Sequence, residues 1–416
     1  MTIEFGAGAL ADIDLSAPRT HARRDLGALW RRLREEQPVA WHPVRAGGGF
    51  WVVTRHADAL AVYRDSEGYT STRGNVLATL LAGGDPAGGK MLVVSDGPRA
   101  LAIRRRLLKA FTPAALRELA EPIGRLARRL VRDAIARGEC EFASEVAERI
   151  PLAAICDLLL IPERDRKPLL RHARAALASE SASATERDAR MARNEILMYF
   201  ARLARARKDD VADDLLGILL QLSREPLALS TEELLLNCYS LLLGGDETSR
   251  LSMIGLVKAF AEWPEQWALL RRGAVGLDTA VEELLRWTTP TLHAGRTAAR
   301  DQVLAGQRIA AGEIVTIWNS AANFDPEEFA APERLDLTRK PNRHLSFGHG
   351  HHFCLGAQLA RVELRALLEA LIETTERFEL VGAPRPLYSN FLSGYSALRV
   401  RLHPREDARP SSPAAP

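Results

Sequence analysis

The sequence predicts a mainly α fold with a minor β part: a small β-rich N-terminal region, a run of amphipathic helices and one long central helix. Three observations carry this expectation. Between about Pro113 and Leu222 the apolar residues recur at spacings of three and four, with arginines on the opposite face. From Ser230 the helical pattern runs without proline to Trp263, where Pro264 stops it. Before Pro113, short strand-like and helical patterns alternate. The 416 residues are 47% hydrophobic and 26% charged, with a formal net charge of +3. That balance excludes a disordered or collagen-like chain and gives no general attraction to nucleic acid. No run of about 18 apolar residues occurs, so no membrane span is expected. The opening MTIEFGAGALADIDLSA lacks the basic start and apolar core of a secretory signal.

Taken in order, residues 1–24 form an N-terminal extension. Trp41 to Arg55 (WHPVRAGGGFWVVTR) reads as two strands joined by a glycine turn. Gly68 to Gly89 is glycine-rich and aperiodic, which predicts a mobile loop. The helices after Pro113 are interrupted at Ser179 to Thr185 by an exposed connection. Ser230 with Glu233 makes a capping box that opens the central helix, roughly 50 Å long at 1.5 Å per residue. A second capped helix covers about Leu277 to Trp287. Strand-like pieces follow at Val303–Ile309 and Ile314–Trp318. Then come an irregular stretch from Asn319 to Gly350, a last helix over about Leu355 to Thr374, and a disordered tail at 405–416. No repeat or linker divides residues 25–404, which are read as a single domain. Four cysteines without a C-x-x-C pair fit a reducing cytoplasm. Cys140, Cys156 and Cys238 lie in apolar helical patterns and read as small buried hydrophobes.

Cys354 is set differently. It ends the segment Phe347-Gly348-His349-Gly350-His351-His352-Phe353-Cys354-Leu355-Gly356 and opens an amphipathic helix. Unpaired N–H groups and the positive end of a helix lower a thiol's pKa. The glycines let backbone amides come close to the sulfur. This suits a soft anionic metal ligand, and a haem fits because the porphyrin supplies four nitrogens. A zinc site from His349, His351, His352 and Cys354 is a rival, but its spacing is too tight and irregular for a usual zinc knuckle. A buried structural cysteine beside surface histidines is the other rival.

The central helix carries Leu243-Gly244-Gly245-Asp246-Glu247-Thr248-Ser249 in its interior. Two glycines there cost about 1 kcal/mol each against alanine, and a mid-helix acid and hydroxyl need partners. Such a concentration of unfavourable features points to a site. The glycines allow a flat molecule against the backbone, Thr248 can distort the hydrogen bonding and hold water, and Glu247 can relay protons. A kinked helix packed on a neighbour is the plainer alternative. Glu283 and Arg286 share one face of an otherwise apolar helix. A buried pair there needs further partners, and Arg334 is the candidate.

Together these residues resemble the cytochrome P-450 family of haem-thiolate monooxygenases, in the soluble bacterial style, over about Asp25 to Pro404. The Phe-Gly-x-Gly-x-x-x-Cys-x-Gly signature is complete in Phe347, Gly348, Gly350, Cys354 and Gly356. Gly244 to Thr248 is similar to the family's oxygen-activating turn, and Glu283, Arg286 and Arg334 to its structural triad. The resemblance implies a long helix lying over heme b, with Cys354 as axial ligand and Arg104, Arg296 and His352 as propionate partners. It implies Glu247 and Thr248 as the proton-delivering acid and alcohol. It implies a substrate pocket from Ser240, Leu243, Gly244, Thr291, Leu292, His293, Phe391 and Leu392, with a lid from Gly68–Gly89 and Ala173–Met191.

Three positions depart from the family pattern. Ala100 stands where a propionate-binding histidine is common, so one haem contact is either missing or replaced by Arg99 or His293. Phe324 stands where an arginine is common. Asp246 stands where a histidine or apolar residue is common. It could alter the proton path or meet a polar substrate, or be a solvated or salt-bridged acid.

With no flavin or nucleotide motif in the chain, ferredoxin and ferredoxin reductase are the expected electron source. Arg104, Arg105, Arg106, Lys109, Arg343 and Arg361 are read as their docking face, with a solvated helix face as the alternative. The implied reaction is hydroxylation or oxidative coupling of a small molecule, most often of secondary metabolism, free or carrier-protein-bound. The alternative function is a haem-binding sensor without turnover, which would keep Cys354 but not need Glu247 and Thr248.

Overall fold

The central helix, Thr231–Glu262, organises the molecule. The computed structural model describes residues 13–23, 25–44, 47–177, 185–209, 214–224 and 227–406. The helix opens with the expected capping box: Glu233 N–H donates to Ser230 Oγ at 3.2 Å, and Ser230 N–H to the Glu233 carboxylate at 2.8 Å. It ends at Trp263, before Pro264. Its buried Ile254, Val257 and Phe260 share one core with Leu130 of the helix Pro113–Ala136 and Leu364 and Leu368 of the helix Ala357–Thr374. Burying each such side chain stabilises by about 1.5–3 kcal/mol. Gly245 and Gly255 let neighbours come close: added Cβ atoms would lie 2.7 Å from Ile155 and 2.6 Å from Thr288.

A five-stranded sheet flanks this helical body, in the order Val39–Pro43, Gly49–Val53, Ile314–Trp318, His293–Ala298, Tyr69–Thr70. All neighbours are antiparallel except Gly49–Val53 and Ile314–Trp318. Its faces carry two further apolar clusters. Among the described residues no helix is long and apolar enough to cross a membrane.

Several expectations are corrected here. Gly68 to Gly89 contains the strand Tyr69–Thr70 and the helix Leu77–Leu81, and Gly295 N–H donates to Asn75 O at 2.7 Å. Cross-chain pairing orders a segment that has no periodicity of its own. The strand His293–Ala298 and the strands after Thr374 were not foreseen. The helix Leu277–Thr288 begins at Gly276 with no side-chain cap. The helix after Cys354 starts at Ala357. Ile13 and Leu15 are buried in the cluster that holds Trp30 and Trp318, so packing begins before residue 25. The Ser179 to Thr185 connection, except Thr185, and the tail beyond Glu406 lie outside the described residues.

The fully buried Glu283 accepts two bonds from Arg286, both at 2.8 Å, and one from Arg339 at 3.0 Å. Asn342 Nδ2 and the Asp336 N–H complete its shell at 2.9 and 3.0 Å. Arg339, brought round by the turn in which its N–H meets Asp336 O, therefore fills the place expected for Arg334. The exposed Arg334 contributes its backbone carbonyl, which accepts from Arg286 at 3.5 Å. Removing one partner of a buried ion pair strands the other charge. Chemical unfolding should show Glu283→Ala losing about 3–5 kcal/mol. Arg334→Ala should stay within about 0.5 kcal/mol of the parent, with Arg339→Ala in between.

Candidate active site

Beneath the middle of the central helix lies a cavity of about 320 Å3. Gly244, Thr248 and Ser252 line one side, Phe347, Cys354 and Gly356 the other. Thr248 Oγ1 donates to Gly244 O at 3.4 Å, the expected back-bond to the preceding turn. The two glycines differ in use. A Cβ at Gly244 would meet nothing within 4 Å, so the backbone is open to the cavity, whereas Gly245 packs on Ile155.

Cys354 is positioned by its own loop. Its N–H donates to Phe347 O at 2.9 Å. Gly350 has φ +69°, and an added Cβ there would lie 2.4 Å from the Tyr63 carbonyl oxygen. Only glycine suits that contact. Burial raises the Cys354 thiol above its ordinary range, while the Gly356 N–H and the Arg104 and Arg361 guanidiniums act the other way. The lowering expected from the helix end is therefore outweighed in the polypeptide alone. Cys140 and Cys156 are buried and pushed up to about 12, as inert core thiols should be. Among the described residues no three histidine, cysteine or acidic side chains could share a metal ion. The loop histidines diverge, His349 toward Arg64 and His352 toward Asp96.

Two cations on the cavity wall have no ion pair among the described residues. Arg296 is 5% exposed. It donates to Gly295 O at 2.7 Å, and its guanidinium lies 5.6 Å from the Tyr63 ring centroid. Arg104 donates to Phe353 O beside the sulfur. Burial lowers the pKa of both. His352 also lines the cavity and donates to Asp96 at 2.7 Å. Burial pushes the Asp96 carboxyl up, but hydrogen bonds from His352, Thr70 and the Ser71 N–H outweigh it and hold the pKa at about 2. A buried cation without an ion pair, as at Arg296, is costly, and Arg104 is half-buried. With a sulfur ligand opposite open helical backbone, they fit a flat, dianionic haem.

Asp96 was missed by sequence reasoning, although Asp-Gly-Pro is a helix-start signal. It stands at the N-cap of Gly97–Leu107 but gives its carboxylate to other partners. Ala100, with Asp96, Arg104, His351 and His352, lines a gap of only about 20 Å3. Neither proposed substitute fills it. Arg99 pairs with Glu233 at 2.5 Å. His293 is fully buried off the cavity, accepts from Leu77 N–H at 3.1 Å, and is held neutral by burial, with a pKa of about 3.

Of the expected substrate wall, Ser240, Gly244, Thr291 and Phe391 line the cavity; Leu243, Leu292, His293 and Leu392 do not. Thr291 and Leu392 form an antiparallel bridge. Side chains alternate along such segments, which turns Leu292 away from Thr291, and Leu392 packs with Leu251 and Leu387. Asn75, Leu92, Val93, Asn237 and Leu241 are additional lining. Counting back from Thr248 by the helical repeat would have found Leu241 and Asn237.

Glu247 is not on the cavity wall; it is 3% exposed and ion-paired with Arg250, with Nε at 3.1 Å. Asp246 also lies off the wall, 2% exposed with Oδ1 unpartnered, which removes the contact with a polar substrate. Burial, then the Glu247 charge, raises Asp246 to about 8, against the pull of Arg250 and Arg174. Glu363, buried on the helix Ala357–Thr374, is likewise raised to about 8 by burial, opposed by nearby Ser249 and helped by Asp246. Neither Glu363 oxygen makes a hydrogen bond of ordinary geometry. Both folded-state pKa values exceed the ordinary carboxyl range, so the folded form binds more protons. Their stabilisation is complete below about pH 4 and is lost as pH rises through about 8. Between pH 7 and 9, above the histidine range, the melting temperature should fall. Asp246→Asn and Glu363→Gln should each flatten that fall, and an unchanged slope would refute the assignment.

Comparison with known proteins agrees with this geometry. Residues 276–387 match the family profile "Cytochrome P450". Over 394 residues, 94% of this chain and 97% of the relative, the protein is 42% identical to cytochrome P450 NovI of Streptomyces niveus. It is 30% identical to a steroid C26-monooxygenase of Mycobacterium tuberculosis, over 93% of this chain and 92% of that one. The crystal structure of P450 OxyD, involved in the biosynthesis of vancomycin-type antibiotics, superposes with a TM-score of 0.85 at 34% identity, covering 94% of this chain and 100% of OxyD. Sequence and structure agree over nearly the whole length of each chain: the protein belongs to the cytochrome P450 family of haem-thiolate monooxygenases.

Proposed function

We propose that this monooxygenase hydroxylates or oxidatively couples a small molecule of secondary metabolism, presented free or on a carrier protein, with electrons from a ferredoxin and its reductase. The observation that carries the reading is one cavity with Cys354 on one side and Gly244 and Thr248 on the other. A sensor without turnover has no use for the second side. The similarity to NovI and OxyD supports a biosynthetic substrate.

Cys354 would hold the haem iron, and Arg296, Arg104 and His352 its propionates. The bound haem supplies oxygen activation, which a thiolate ligand favours by donating electron density. Thr248 would hold a proton at Oγ1 on the cavity side, and Glu247, once released from Arg250, would replenish it. Ser240, Thr291 and Phe391 would orient the substrate. The exposed Leu108 and Phe353, with exposed Arg105 and Lys109, offer an acidic carrier an apolar centre and a basic rim. Arg361 and Arg343 are already paired, with Glu282 and Glu328.

Cys354→Ser should lose the band shift seen on reduction under carbon monoxide; retention of that spectrum would sink the reading. Thr248→Ala should keep full haem content but lose about 10²-fold in product formation, at the lower end of proton-transfer contributions. Unchanged turnover would remove Thr248 from the reaction. Lys109→Glu should slow ferredoxin-dependent reduction at low salt and lose that defect at high salt, as stopped-flow reduction would show.

A further inference from the structure

One side of the haem cavity belongs to a short strap, residues 87–94, whose Leu92 and Val93 line the space. The strap holds its own shape. Gly89 N–H donates to Val94 O at 2.8 Å, Met91 N–H to Ala87 O at 3.0 Å, and Val94 N–H to Met91 O at 2.9 Å. None of these bonds fixes it against the rest of the molecule.

Asn237, on the central helix, supplies that link. Its Oδ1 accepts the Leu92 N–H at 2.9 Å, and its Nδ2 donates to Lys90 O at 3.2 Å. Nδ2 also donates to Glu233 O, one turn back, at 2.7 Å, which orients the amide. The strap thus offers an N–H and a C=O two residues apart, and a side-chain amide answers both from separate atoms. Asparagine is a poor residue for a helix interior, because its side chain competes for backbone partners. Here it is 2% exposed, and the partners it finds are largely on the strap. Ala87 and Val94 pack beside it on Leu236. An ion pair from Lys90 to Glu232, at 2.9 Å, joins the same two elements, but its side chains are 44% and 60% exposed. Pairs so exposed contribute little.

Asn237 also lines the cavity, seven residues before Gly244 and so about 10 Å from it along the helix axis. Between the strap and the helix Gly97–Leu107 lies a gap of about 110 Å3, lined by Leu92, Ala100, Ile103 and Asn237. A strap released from the amide has that space to enter.

We propose that Asn237 is a positioning residue that determines specificity: by holding Leu92 and Val93 at the cavity, it excludes molecules whose bulk lies on the strap side. The inference rests on the reading of this cavity as the substrate site over a haem held by Cys354.

The test uses the full haem-loaded chain and two iron-ligating probes, 4-phenylimidazole and the bulkier 1-(biphenyl-4-ylmethyl)imidazole, each titrated in the optical spectrum. Asn237→Leu keeps the side-chain size and removes both bonds to the strap. It should raise affinity for the bulkier azole relative to the compact one by about tenfold, the scale of one or two hydrogen bonds. Asn237→Asp, which keeps the acceptor for the Leu92 N–H and loses the donor, should fall between. Glu232→Gln should leave the ratio within about twofold. Hydrogen exchange read by mass spectrometry should quicken in Asn237→Leu over residues 87–94 and stay unchanged over 277–288. Should Asn237→Leu fail to fold, Asn237→Ala decides by the same two readouts. The proposal is overturned if the ratio ignores the Asn237 substitutions, if exchange over 87–94 does not change, or if Glu232→Gln shifts the ratio as far as Asn237→Leu. If neither azole perturbs the spectrum of the parent, the reading of the cavity itself falls, and the proposal with it.

Discussion

One sulfur must be held at a cavity wall by a loop too glycine-rich to hold itself, and much of the surrounding architecture follows from that constraint. Two adjacent acids on the helix Leu277–Thr288 meet it. Glu282 takes two bonds from Arg361, at 2.6 and 2.9 Å, and the Arg361 guanidinium lies 4.7 Å from the Phe347 ring centroid. Phe347 in turn accepts the Cys354 N–H. Glu283 fixes the preceding irregular stretch through Arg339, Asn342 and the Asp336 N–H. One turn of helix therefore clamps both the approach to the cysteine loop and the helix that leaves it. Because the clamps are buried or half-buried charges with several partners each, their loss would free long segments together.

The second constraint is register. The segments around Thr291 and Phe391 are too short to be a sheet, yet they pair as antiparallel strands do. A shift of one residue would exchange Thr291 for Leu292, which packs with Trp30 and Trp318, or Phe391 for Leu392, which packs with Leu251 and Leu387. The hydrogen bonds from Leu292 to Phe391 and from Ser393 to Pro290, at 2.8 and 2.9 Å, prevent that shift. This part of the cavity wall thus rests on backbone pairing between residues about a hundred positions apart in sequence.

That dependence explains what the sequence could and could not disclose. The central helix, its capping box and its stop at Pro264 are local features, and they were legible. So was the cysteine segment, because glycine spacing around one thiol has few other uses. Long-range pairing leaves little trace in a single sequence. The strand His293–Ala298 has no clear alternation, and Leu292 and Leu392 read as pocket leucines until their partners are known. Arg339 and Arg334 are five residues apart in one irregular loop, and only the turn at Asp336 decides which of them reaches Glu283. Asp96 reads as a helix cap because nothing nearby in sequence announces His352.

The buried acids behind the central helix raise a question of charge that the geometry answers. An anionic sulfur at Cys354 is opposed by any negative charge nearby, and Glu363 ionised would add one. Burial without ordinary hydrogen bonds keeps Glu363 protonated well above the usual carboxyl range, and Asp246 reinforces this from the central helix. The neutral acid leaves the field at the sulfur to Arg104, Arg361 and the Gly356 N–H, all of which favour the thiolate. Burying Glu363 in its neutral form thus spares the sulfur a negative neighbour. A glutamine at 363 would preserve that neutrality at every pH, whereas an ionised acid would not. The stability slope and the sulfur's electronic environment therefore respond to the same proton.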